Sequence, residues 1–137
     1  MADMKEKGIA LLSSTSVTMG TNANGTKQIL YYVPVGKDAI ITEVIIRNPS
    51  VTLDGCNDVD FGVGAACATQ AFLNNETGII DMTSATDFMR LVTSSNDYKV
   101  IDGSDATAAN REFGIQIIAG ATAAAATATI DVFGYIF

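Results

Sequence analysis

Three acidic side chains fall within seven positions of one loop, Asp54-Gly55-Cys56-Asn57-Asp58-Val59-Asp60. A hard cation such as Ca²⁺ binds through several carboxylate and carbonyl oxygens, which this loop supplies. The spacing departs from an EF-hand loop, and no Glu stands at the twelfth position. Asp and Asn are also common turn formers, so a polar turn leading into a strand accounts for the same residues. Asp54, Asp58 and Asp60 are the candidate cation ligands, and no metal is assigned. Cys56 and Cys67 are the two cysteines. They read as small buried thiols, or as one bridge that forms only in an oxidising medium.

The chain has no histidine. That removes the Ser-His-Asp triad, the Cys-His pair and every imidazole metal site. Gly62-Val63-Gly64 lacks the third glycine and the following helix of a dinucleotide loop. No carboxylate pair or Ser-Lys pair is spaced for catalysis. The sequence therefore assigns no catalytic residue and no cofactor, and it reads as a non-enzyme. Tyr31, Tyr32 and Tyr98 could stack on a sugar, which keeps a carbohydrate- or receptor-binding module as the alternative function. Strand alternation puts Tyr31 and Tyr32 on opposite faces, so both cannot belong to one platform.

The elements that must position these residues are short strands. Runs rich in β-branched and aromatic residues alternate with Gly, Asn, Asp and Pro clusters. Strands are expected over Gly8–Met19, Gln28–Val33, Ala39–Arg47, Val59–Val63, Tyr98–Ile101, a run around Phe113–Ile117, and Ala124–Phe137. Asn24-Gly25, Pro34-Val35-Gly36-Lys37 and Asp102-Gly103-Ser104-Asp105 read as turns. Between Ala65 and Asn96 the pattern weakens. Ser84 and Asp87 resemble a capping box, and Phe88, Leu91 and Val92 then follow at helical spacing, which predicts a turn or two of helix or a distorted strand. The expectation is one all-β domain over residues 1–137. It is an antiparallel β-sandwich of jelly-roll type with about eight strands and at most one short helix. Residues 1–7 form an arm free to reach a neighbour.

In Ala39–Arg47, strict alternation puts Ile40, Val44 and Ile46 on one face. Ala39, Ile41, Glu43, Ile45 and Arg47 take the other. An outer face that carries isoleucines beside charges is expected to be covered by a loop or another subunit. Phe133, Tyr135 and Phe137 share one face of the last strand. Ile41, Ile45, Phe133, Tyr135 and Phe137 are thus the candidate interface residues.

Charge limits the partners. The formal net charge is −7, with only eight Lys and Arg, while 48% of residues are hydrophobic and 17% charged. No basic run exists to neutralise phosphates, which argues against nucleic acid. An acidic surface also suits an anionic membrane poorly. The opening MADMKEK is polar, and Ile9-Ala10-Leu11-Leu12 is too short for a leader's apolar region. The chain is expected to be made in a cytoplasm without a secretory leader.

One stretch is more specific. Leu30-Tyr31-Tyr32-Val33-Pro34-Val35-Gly36-Lys37-Asp38-Ala39-Ile40-Ile41-Thr42-Glu43-Val44-Ile45-Ile46-Arg47-Asn48 resembles a segment of small β-sandwich structural proteins of tailed bacteriophages. The shared pattern is a Tyr-x-Val-Pro-x-Gly-Lys turn between two strands, read as one β-hairpin, followed by an alternating apolar strand. The resemblance implies a virion component such as a capsid decoration (cement) protein, a head fibre or a tail accessory protein. It also implies a homo-oligomer, often a trimer, that partners the major capsid protein or other virion proteins.

Overall fold

A computed structural model describes residues 8–67, 70–76, 78–92 and 100–137, with the backbone alone for 70–76. Two antiparallel sheets face each other. The first contains β1 (Ala10–Thr18), β9 (Thr127–Ile136), β3 (Asp38–Arg47) and β6 (Phe88–Val92) in that order, and β7 (Val100–Asp102) also pairs with β3. The second runs β2 (Lys27–Tyr32), β8 (Glu112–Ala119), β4 (Asp58–Val63), β5 (Gln70–Glu76). β6 and β7 pair with successive stretches of one edge of β3 and together fill one strand position. Eight positions ordered in this way, with the chain passing back and forth between the sheets, make a jelly roll. Among the described residues the helices are short 3₁₀ turns at Thr21–Ala23, Gly78–Asp81 and Ala108–Arg111.

Both inner faces meet in one core. Phe61 and Phe113 stack at 6.4 Å, with Ile115, Ile117, Val44, Ile46, Ile130 and Val132 around them. The last strand keeps the expected alternation, with Ala128, Ile130 and Val132 buried. It begins only at Thr127. Ala123–Ala126 is a tight turn closed by Ala126 N–H to Ala123 O (2.9 Å). Its small residues leave room for the chain's own Gly20, whose added Cβ would strike the Ala123 and Ala124 carbonyls.

Three expectations are corrected. The first concerns Phe88–Val92, expected as a turn or two of helix or a distorted strand: it is strand β6, and the helical alternative falls. Ser84 and Asp87 do form a side-chain cap: the Asp87 carboxylate accepts from the N–H of Thr83 and Ser84, both at 2.9 Å. Asp87 N–H returns to Ser84 O, so the cap closes a turn, a use such residues serve as readily as a helix start. The second concerns Pro34–Lys37, which is no hairpin. β2 and β3 lie in different sheets, and the turn carries the chain across the sandwich edge. Pro34 O accepts from Lys37 N–H (3.0 Å) and Gly36 sits at φ +82, the left-handed third position of a type II turn.

The third concerns β3. Ile41 opposes Gly134 and Glu43 opposes Phe133, so Thr42 is an extra residue, a β-bulge. Thr42 Oγ1 donates to Phe133 O (3.2 Å). One inserted residue reverses the alternation. Before it Ala39 and Ile41 are buried; after it Val44 and Ile46 are buried. Gly134 admits the bulge, because a Cβ there would overlap Ile40 O. Ile41 is therefore 0% exposed, a core residue with nothing to offer a partner. The 1–7 arm and Tyr98 lie outside the described residues.

Candidate functional site

With the bulge in place, the outer face of the first sheet reads as ordered rows across β1, β9, β3 and the β6/β7 edge. Ser16, Thr129, Arg47 and Phe88 make the first row. Ser14, Asp131, Ile45 and Arg90 make the second, and Leu11, Phe133, Glu43 and Val92 the third. Tyr135, Ile40 and Val100 make the fourth. Beyond it Asp38 opposes Asp102, and Asp38 exchanges backbone hydrogen bonds with Phe137 (2.8 and 3.0 Å). Leu11, Phe88, Val92, Val100 and Phe137 are exposed large apolar residues. Of the expected interface residues, Ile45, Phe133 and Tyr135 lie together on this face, and Phe137 ends it. Phe88, the most exposed of its aromatics at 69%, is not among the sequence candidates, because its run reads equally as helix or distorted strand. Its position opposite Arg47 is the signal that places it.

The charges on this face are paired. Arg47 Nε donates to Asp131 Oδ2 at 2.8 Å, and Ser14 Oγ donates to Asp131 Oδ1 at 2.6 Å. Burial opposes the charge on Asp131, which is 9% exposed. The bonds from Arg47 and Ser14 and the Arg47 charge outweigh it and hold the carboxyl below its ordinary range. Arg90 Nε pairs with Glu43 Oε2. Beside that pair Ile9, Ile40, Val92 and Tyr135 wall an open groove of about 340 Å³.

Lys27 and Arg111 lie over part of the second sheet's outer face, on which Ile29, Tyr32 and Ile118 are exposed. Lys27 lies over Gly114, where a Cβ would strike its side chain. Its Nζ donates to Glu112 O (2.8 Å) and Gly64 O (2.9 Å). Arg111 sits 5.2 Å from the Tyr32 ring. Tyr31 instead packs against the core, so the two tyrosines form no platform.

The acidic loop does not converge. Asp54 is exposed in a turn, Asp58 opposes Ala119 and Asp60 opposes Gln116 on the outer side of β4. Among the described residues no three acidic or thiol side chains gather where a cation would sit, which corrects the calcium candidate. Cys56 and Cys67 are both free and buried, and burial pushes each thiol up to about 11.

No protein-family model matches the sequence, and no functionally curated protein matches it. Among solved structures, a chain of the cyanophage Pam1 capsid asymmetric unit is similar at TM-score 0.52 and 16% identity, over 93% of this chain and 84% of that one. A chain of the Ralstonia phage GP4 capsid gives 0.45 at 18% identity, over 93% and 85%. A mud crab dicistrovirus chain gives 0.35 at 11%, over 96% and 70%. At these identities the likeness is one of fold, and the Pam1 comparison carries it.

Proposed function

We propose that this chain is a non-enzymatic structural protein of a bacteriophage particle, a capsid decoration subunit that assembles through the outer face of its five-stranded sheet. The observation that carries this reading is that face. It sets Leu11, Phe88, Val92 and Val100 in solvent around ion pairs that are already satisfied within the chain. Burying apolar area while adding no unpaired charge is what a stable protein interface requires. The likeness of the fold to a capsid chain of cyanophage Pam1 supports a virion setting. The phage-like Leu30–Asn48 stretch supports it independently, now as a corner between sheets. The lack of histidine, and the absence of a gathered acidic cluster among the described residues, favour a structural role over catalysis. Among the described residues, the separation of Tyr31 from Tyr32 leaves the sugar-binding alternative without a two-tyrosine platform.

The test is quantitative mass spectrometry of gradient-purified particles from a phage that encodes this chain. A copy number on the scale of the major capsid protein is expected. Absence from particles, or presence in only the few copies typical of a tail tip, would refute capsid decoration.

A further inference from the structure

The charged groups on the outer face of the first sheet are not evenly spread along the strands. Arg47 and Arg90 lie in the first two rows, and Asp38 and Asp102 lie beyond the fourth. Asp131 and Glu43 pair with those same two guanidinium groups, so the four charges sum to zero and the centre of the face is neutral on a chain of net charge −7. Phe88 projects from the first row, while the groove walled by Ile9, Ile40, Val92 and Tyr135, with Glu43 and Arg90 also lining it, lies mostly in the third and fourth rows. One end thus carries a knob beside the guanidinium of Arg47, and the other carries a hole with Asp38 and Asp102 beyond it.

We infer that two copies of this chain pack these faces against each other about a two-fold axis that lies in the interface and crosses the strands. This operation lays the first row of one copy over the fourth row and acidic end of the other. Phe88 of each copy enters the groove of its partner, and each Arg47 approaches the other copy's Asp38. A self-complementary patch is what a two-fold interface demands. The size also fits. Ten residues of β9 at ~3.3 Å each, across four strand positions at ~4.8 Å, give a face of about 600 Å² in plan. Side-chain relief brings that near the ~800 Å² per partner of a standard interface. The neutral centre spares two acidic chains from meeting like charge with like.

This inference rests on the assembly role proposed above and names the sister copy as the occupant. Light scattering of the purified full chain at about 10 µM, within reach of a standard interface, should give a dimer. Phe88→Asp should weaken it about 30-fold or more, the scale of losing an aromatic anchor. Its melting temperature as a monomer should not change, since Phe88 is mostly in solvent. The geometry is read by Phe88→Cys/Val100→Cys. Those positions lie about 20 Å apart within one copy, too far to bridge, but face each other across the proposed axis. Oxidation should yield a covalent dimer from the double variant and not from either single one. A monomer at about 100 µM, a trimer, a dimer indifferent to Phe88→Asp, or no cross-link would each overturn the inference. A monomeric chain found abundantly in particles would sink self-association and leave the virion role standing. A dimer whose phage particles lack it would do the reverse.

Discussion

Replacing Ile40 and Ile41 by alanine, one at a time, tests the β3 bulge with two adjacent residues of identical chemistry. If β3 alternated strictly from Val44 and Ile46, Ile40 would be core and Ile41 outside. The extra residue at Thr42 reverses that order. Ile41 is 0% exposed, and Ile40 lines the outer groove. Truncating a fully buried isoleucine removes its transfer energy and leaves a cavity, which costs about 3–4 kcal/mol. The same change at a partly exposed site costs about 1 kcal/mol. The midpoint of a urea titration reads this difference directly if its slope is unchanged. At about 3 °C per kcal/mol for a chain of this size, Ile41→Ala should melt about 10 °C lower and Ile40→Ala about 3 °C lower. The comparison belongs in a Phe88→Asp background, so that association adds nothing to either variant. A larger loss from Ile40→Ala than from Ile41→Ala would refute the bulge and the whole arrangement of the outer face.

Gly134→Ala should destabilise by several kcal/mol, because its Cβ would overlap Ile40 O at the bulge; a thermal melt checks it. Asp131 has a folded pKa below its unfolded value of about 3.9, so its ion pair contributes stability above that pH and loses it as pH falls further. Asp131→Asn should therefore flatten the acid limb of the stability curve below about pH 4, and an unchanged limb would count against the pairing. Cys56 and Cys67 should resist a thiol reagent at about pH 8 in the folded protein and both react in denaturant, since burial holds each near 11. Rapid native labelling would contradict their burial.

The residues that make a candidate interface were partly visible in the chain. Phe133 and Tyr135 belong to a long alternating run, and that run keeps its phase from Thr127 to the end of β9. Ile45 was placed on the outer face and lies there. Ile41 was placed there by the same counting and is buried, because the count passed through Thr42. Phe88 was hidden by a helical spacing that a strand also satisfies: Met89 and Leu91 turn inward while Phe88, Arg90 and Val92 turn out. The acidic loop supplied ligand chemistry in sequence, but strand pairing sent Asp58 and Asp60 to different neighbours and left Asp54 in a turn.

Local physics is enough for some of this protein. The lack of histidine narrows its chemistry without reference to any contact. The β-branched runs and their Gly, Asn and Pro breaks determine an all-β chain, because turn chemistry and side-chain period act over a few residues. Tertiary structure alone decides which strands are neighbours and where a period slips. β2 and β3 are joined by five residues yet lie in opposite sheets, while β1 and β9, far apart in the chain, pair along most of their length. The bulge at Thr42 exists because Gly134, more than ninety positions later, leaves room for it. One residue of slip turned Ile41 of the expected interface into core and put Ile40 in its place, on the face where Arg47, Phe88 and the paired charges stand.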